Sequence, residues 1–317
     1  MRGVFLDFAT VSSDDVTTGS LDGTGVDFEY FDHTRPADIV ERIRDCEVVV
    51  TNKLRLREAE FAAAPRLRLV CLVATGTDNV DLSAAADRDI AVCNIERYCT
   101  PSVVQHVFAL MLALNHHLAD YGRRLREGAW QNSPQFTVLE FRIREFAGRR
   151  LGVVGHGELG SAVGRVAEAF GMEVLVASLP GRTGGVGRVA LDELLPRVDV
   201  LSLHCPLTPE TRELIGAREL GLMRPDALLI NTARGALVDG DALAAALRSG
   251  RLAGAGIDVL PEEPPVHGDP LLADDIPNLI VTPHVAWAAM EARQRAVDEV
   301  AANIASFLAG GRRGRVA

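Results

Sequence analysis

The chain has 317 residues, enough for about two domains at roughly 150 residues each, and its 48% hydrophobic and 24% charged content is that of a folded globular protein. Its 33 basic and 43 acidic residues leave a net charge of −10, which repels phosphate backbones and anionic lipid, so neither a nucleic acid nor a membrane is an expected partner. The opening Met1-Arg2-Gly3-Val4-Phe5-Leu6-Asp7 meets an acid too early for a signal peptide, and no run approaches the ~20 apolar residues of a membrane helix.

Short apolar runs at Val4–Leu6, Val26–Tyr30, Cys46–Thr51, Leu67–Val73 and Ile90–Cys93 predict five strands. Helix-like stretches at Pro36–Arg44, Leu56–Ala64 and Leu82–Asp87 separate them, and such alternation predicts a parallel sheet covered on both faces. A long periodic helix follows over Pro101–Leu118, with Thr100 as its N-cap and Pro101 in its first turn. A second series of runs lies at Arg150–Val154, Glu173–Ala177, Val198–Leu203, Ala227–Asn231, Leu252–Val259 and Leu279–Thr282. Six strands with helices between them, such as Glu158–Phe170 and Asp239–Ser249, are the count of a complete doubly wound nucleotide-binding sheet. The last element, a helix over Trp287–Leu308, belongs back on the first domain. The expected division is therefore residues 1–98 with 288–317, and an inserted domain over 99–287. The basic tail Arg312-Arg313-Gly314-Arg315 reads as solvated. Five scattered cysteines with no C-x-x-C pair read as reduced thiols of a cytoplasmic protein, and no histidine pair has metal spacing.

The segment Leu151-Gly152-Val153-Val154-Gly155-His156-Gly157-Glu158-Leu159-Gly160 joins an apolar strand to a helix through G-x-G-x-x-G. Gly155 allows the tight turn, Gly157 lets a pyrophosphate approach the backbone, and Gly160 lets helix and strand pack closely. The helix N-terminus, at Glu158 and Leu159, offers N–H groups and a positive dipole end to the phosphates. Glu158 is expected to contribute its backbone there while its carboxylate turns to solvent. The next strand ends in Ser178, not in the Asp or Glu that binds a ribose 2′-hydroxyl, and Arg182 follows. That combination predicts NAD(P)H binding and favours NADP(H) over NAD(H).

Three further segments end the fourth, fifth and sixth strands of the series, where ligands of such sheets bind. They are Asn231-Thr232-Ala233-Arg234-Gly235, Ile257-Asp258-Val259-Leu260-Pro261-Glu262-Glu263-Pro264-Pro265 and Thr282-Pro283-His284-Val285-Ala286-Trp287. Singly, Arg234, Glu263 and His284 could each be an ordinary surface residue. Together, on the rim of one nucleotide-binding sheet, they form a candidate catalytic set. Of the other histidines, His106, His116 and His117 are read as packing or solvent residues, His156 as a backbone contributor and His204 as non-catalytic.

With these segments in view, the whole chain resembles the D-isomer-specific 2-hydroxyacid dehydrogenase family, and within it the glycerate dehydrogenase/hydroxypyruvate reductase type. Val73 to Asp81, Asn94 through Gln105-His106, Leu203 to Thr208 and Thr282 to Arg295 carry the resemblance. It implies an α/β protein of two doubly wound parallel-sheet domains, a flavodoxin-like substrate domain and a Rossmann cofactor domain. It implies His284 as the proton donor, a side chain whose ordinary pKa of about 6.5 lies near working pH, with Glu263 as its partner. Glu262 fits that place less well, because its position relative to Pro264 does not match. By the same resemblance Arg234 binds the substrate carboxylate, and the backbone of Ala74, Thr75 and Gly76 takes it from the far side. Asp258 is implied at the nicotinamide carboxamide, Pro206 at the adenine and Thr211 at the pyrophosphate, with Thr232 and Ala233 also on the cofactor.

The expected activity is reduction of a small 2-keto acid, hydroxypyruvate or glyoxylate, to the D-2-hydroxy acid by a homodimer paired through its cofactor domains. Closure between the two lobes would exclude water from the hydride path. The alternative is a nucleotide-sensing, corepressor-like binding protein on the same fold.

Overall fold

The computed structural model describes residues 1–180 and 187–317, so Arg182 lies outside the described residues. The chain divides into two compact units, Met1–Cys99 with Trp287–Ala317, and Thr100–Ala286.

The first unit holds five parallel strands: β1 Arg2–Phe5, β2 Asp27–Tyr30, β3 Val48–Thr51, β4 Leu69–Leu72 and β5 Ala91–Cys93. Their order is β2-β1-β3-β4-β5, the flavodoxin-like arrangement. Every residue of β3 and β4 is buried, as continuous apolar runs require when helices cover both faces. The helix Met290–Leu308 covers one face, setting Ala296, Val297, Val300 and Ile304 against Phe5, Val48, Val50 and Leu69. The other face packs on the helices Ile39–Ile43, Glu58–Ala62 and Leu82–Ala86.

The basic residues Arg312, Arg313 and Arg315 are exposed, as expected of a solvated tail, but the tail's backbone is paired. Asn94 N donates to the carbonyl of Gly314 at 2.9 Å and Val316 N to that of Val92 at 2.8 Å, while Arg313 pairs with Glu299. The exposed edge of β5 has unmet backbone groups, and the tail satisfies them.

Among the described residues the second unit holds seven parallel strands: β6 Arg150–Val154, β7 Glu173–Ala177, β8 Arg188–Val189, β9 Val200–Leu203, β10 Leu228–Asn231, β11 Gly254–Ile257 and β12 Leu279–Val281. The order is β12-β11-β10-β9-β6-β7-β8. The pattern of apolar runs anticipates six of these. The seventh, β8, has two half-buried residues and no hydrophobic run to announce it, yet it takes the third place of the dinucleotide-binding arrangement. The segments after Asn231, Ile257 and Val281 thus follow the fifth, sixth and seventh strands of the unit.

The long helix also differs from expectation. It spans Thr100–Asn115, taking in Thr100 instead of starting after it, and it stops before Leu118. His117 adopts a left-handed backbone (φ 51°), which an α-helix cannot carry, and a separate helix runs over Leu118–Arg126. The His117 ring stacks on Phe141 with centroids 5.0 Å apart.

Candidate active site

The direction of winding reverses between β6 and β9, and there the glycine loop meets the 204–211 loop. Gly155 has a φ of 93°, and a Cβ on it would lie 2.6 Å from the backbone of His204 and Cys205. Gly160 is equally committed to packing, because its Cβ would stand 2.0 Å from the carbonyl oxygen of Gly155. Gly157 is different. Among the described residues, no atom beyond its chain neighbours lies within 4 Å of where its Cβ would be, at the N-cap of the helix Glu158–Ala169. A close backbone turn that opens onto empty space at a helix N-terminus suits a pyrophosphate. The side chain of Glu158 is exposed and accepts a hydrogen bond from the hydroxyl of Thr100.

Around this loop, Ser178 follows β7 and donates its N–H to Val189 of β8. Thr211 is 3% exposed. Its hydroxyl donates to the carbonyl of Pro206 at 2.8 Å and accepts from the N–H of Thr208 at 2.7 Å, so it closes the turn that begins at Pro206. His204 lies beside Ser202 Oγ at 2.8 Å, and burial pushes its imidazole down to about 4.

At the end of β10, Asn231 braces the loop that carries the arginine. Its amide donates to the carbonyl of Arg234 at 2.9 Å and its oxygen accepts from Ala233 N at 3.1 Å. The Arg234 guanidinium donates through Nη1 to the carbonyl of Ala233 at 2.7 Å. Thr232 Oγ1 is buried without a hydrogen-bond partner among the described residues, an unusual condition for a polar atom and one that a bound ligand would relieve.

Glu263 joins two segments. Oε1 accepts from Leu260 N at 2.9 Å, and Oε2 lies 2.6 Å from Nδ1 of His284. A carboxylate can only accept, so Nδ1 carries the proton of that bond, and Nε2 is the nitrogen available for proton exchange. Glu262 instead pairs with His267, 2.8 Å away. His284 itself sits at φ 56°, a conformation that a branched or bulky L-residue adopts at some cost.

Asp258 holds that conformation in place. It is 1% exposed, and its backbone oxygen accepts from His284 N at 2.8 Å. Oδ1 accepts from Val285 N at 2.9 Å and from the Thr282 hydroxyl at 2.5 Å, and Oδ2 accepts from Ala286 N at 2.9 Å. Both oxygens are thus engaged by the loop that presents His284. Sequence reasoning missed this clamp, and also missed His106, whose Nε2 lies 3.0 Å from Thr282 Oγ1 and 3.4 Å from Asp258 Oδ1. The T-P-H segment is a visible signal for Thr282. His106 lies in a segment that carries the family resemblance, but no sequence pattern links it to Thr282, 176 positions later.

In the first unit the loop after β4 is anchored by its side chains. Thr75 Oγ1 donates to the carbonyl of Ile95 at 2.8 Å, and Asn94 Nδ2 donates to that of Thr75 at 2.8 Å. Among the described residues, no group of three His, Cys, Asp or Glu side chains could hold a metal ion, and no helix is long and apolar enough to cross a membrane.

Residues 108–286 match the D-isomer specific 2-hydroxyacid dehydrogenase NAD-binding domain family. The chain belongs to this family. It is 43% identical to a glycerate dehydrogenase of Methylorubrum extorquens, over 92% of this chain and 94% of that one. It is 36% identical to a hydroxypyruvate reductase of Blautia hydrogenotrophica, over 98% of each. Among solved structures, the TT0316 protein of Thermus thermophilus superposes with a TM-score of 0.88 at 32% identity over the whole of both chains. The protein is accordingly an oxidoreductase with a nicotinamide cofactor, built on two parallel-sheet α/β domains.

Proposed function

We propose that the protein reduces a small 2-keto acid, hydroxypyruvate or glyoxylate, to the corresponding D-2-hydroxy acid. The 2.6 Å contact between Glu263 and His284 Nδ1 carries this reading, because it sets an imidazole up as a proton donor. The names of the relatives, a glycerate dehydrogenase and a hydroxypyruvate reductase, support the choice of substrate class.

The residues present fit a dinucleotide. The open face of Gly157, the helix start at Glu158 and Leu159, and the unpartnered Thr232 hydroxyl are features such a ligand would satisfy. We assign Gly155, Gly157, Glu158, Leu159, Gly160, Ser178, Pro206, Thr211, Thr232, Ala233 and Asp258 to the cofactor side. When bound, the nicotinamide supplies the hydride. His284 gives its Nε2 proton to the carbonyl oxygen as charge builds there, a contribution typically worth about 10² to 10⁴ in rate. Glu263 stabilises the imidazolium form that precedes this transfer. Arg234 binds the substrate carboxylate through its planar guanidinium. Ala74, Thr75 and Gly76 of the first unit are assigned to substrate binding.

For the cofactor we favour NADP(H), since Ser178 offers no carboxylate to a ribose 2′-hydroxyl. Exchanging Arg182 for Ala should then weaken NADPH more than NADH. Free thiols at all five cysteines support a reducing, cytoplasmic setting. A homodimer is supported by the apolar side chains that residues 118–143 expose, including Trp130, Phe136 and Leu139.

The test is the fall in absorbance at 340 nm when NADPH or NADH is mixed with the protein and a panel of 2-keto acids. Turnover that His284→Gln abolishes, with cofactor binding intact, is the expected result. Tight cofactor binding with no turnover on any keto acid would overturn the reading and favour the nucleotide-sensing alternative, which the enzyme names of the relatives do not favour.

A further inference from the structure

We propose that His106 is a positioning residue for the reaction, fastening the loop that carries His284 through Thr282 and Asp258. This rests on His284 being the proton donor.

Thr282 Oγ1 has one proton, and its 2.5 Å contact with Asp258 Oδ1 directs that proton to the carboxylate, which can only accept. The hydroxyl oxygen then has only lone pairs to offer His106. His106 Nε2, 3.0 Å away, must therefore carry the hydrogen and donate. The same N–H lies 3.4 Å from Asp258 Oδ1, so it bears on both acceptors. The ring is held as the Nε2–H tautomer by these two neighbours.

The consequences converge on His284. Asp258 fixes the N–H groups of residues 284, 285 and 286, and His106 fixes the Thr282–Asp258 pair from the helix Thr100–Asn115. That helix is a rigid support, with Val103, Val107, Leu110, Met111 and Leu114 all buried. The left-handed backbone at His284 is a costly conformation, and it needs such a brace to persist. Without the His106 donor, the Thr282 hydroxyl and the Asp258 carboxylate lose the partner that ties them to the helix. A shift of the imidazole by about 1 Å is enough to cost on the order of a hundredfold in rate.

His106→Phe removes the donor while keeping a planar ring, and His106→Gln restores an N–H at a similar reach. In His106→Phe, kcat should fall roughly ten- to a hundredfold. Binding of NADPH or NADH, followed by quenching of tryptophan fluorescence, should change by less than about twofold, and His106→Gln should recover most of kcat. A His106→Phe enzyme that keeps more than half of kcat, or a Gln variant as impaired as the Phe variant, overturns the proposal.

A second readout does not require turnover. In ¹⁵N-histidine-labelled protein the Nδ1 proton shared by His284 and Glu263 gives a downfield resonance, assigned by its loss in His284→Gln. It should move or broaden in the Phe variant and return in the Gln variant. If the wild type reduces no keto acid, the functional reading fails, and this resonance alone decides the placement of His106. An unchanged signal in His106→Phe overturns it.

Discussion

Gly235 is pressed against Leu260: a Cβ at position 235 would stand 2.0 Å from the carbonyl carbon of Leu260 and 2.4 Å from Pro261 N. Arg234 is the residue before Gly235, and Leu260 N is held by the carboxylate of Glu263, which is bonded in turn to His284. The arginine loop and the imidazole loop are therefore one packed assembly, with Gly235 as its tightest point. Gly235→Ala should force the two backbones apart, at a cost of about 1–3 kcal/mol or more in unfolding free energy. It should lower kcat/KM for the keto acid by roughly a hundredfold. Denaturant melts and steady-state kinetics measure both, and a variant as stable and active as wild type would show that the two loops are independent.

Glu263→Gln keeps the size of the side chain and removes its charge. Without a carboxylate to stabilise imidazolium, the pH–rate profile for keto-acid reduction should move to lower pH. Profiles of kcat/KM between pH 5 and 9 test this. An unmoved profile would detach Glu263 from the proton transfer.

The glycine loop should separate binding from stability. Gly157→Ala meets open space at an ordinary φ, so its melting temperature should stay within about 2 °C of wild type while cofactor affinity falls. Gly160→Ala meets the carbonyl oxygen of Gly155 and should lower stability by about 1–3 kcal/mol. Calorimetric unfolding with and without NADPH distinguishes them. Equal losses of stability in the two variants would remove the case for Gly157 as the open contact.

His204 makes the fold sensitive to mild acid. Its imidazole titrates at about 4 in the folded protein because of burial, against an ordinary value near 6.5. Between these values the unfolded chain binds the extra proton, so stability is full above about pH 6.5 and declines as pH falls towards 4. The loss amounts to no more than about 3 kcal/mol. The Asp7 carboxyl, raised by burial, acts in the opposite direction. Comparison with His204→Asn isolates the histidine: urea unfolding at pH 7.5 and pH 5.0 should show a smaller pH difference in the variant. An equal difference would mean that other groups carry the acid sensitivity.

Phe136 and Leu139 are 91% and 82% exposed, which places two large apolar side chains in water unless a second copy covers them. Phe136→Asp with Leu139→Asp should convert a dimer to a monomer in sedimentation velocity. A wild-type protein that sediments as a monomer at tens of micromolar would remove the homodimer from the proposal.

The amino-acid sequence by itself determined the two series of strands, the glycine loop and the three strand-end segments that hold Arg234, Glu263 and His284. Buried parallel strands are unbroken apolar runs, and glycines at a phosphate turn are obligatory, so both leave a local signal. Only the tertiary structure decided what braces those residues. The clamp of Asp258 on residues 282–286, the reach of His106 to Thr282 and the contact of Gly235 with Leu260 join positions with no shared period. The same holds for β8, which is two residues long, and for the basic tail, which closes the edge of β5 through backbone groups that every sequence possesses. Hydrophobic periodicity reports which face of an element is buried; it carries no record of which polar group waits on the other side.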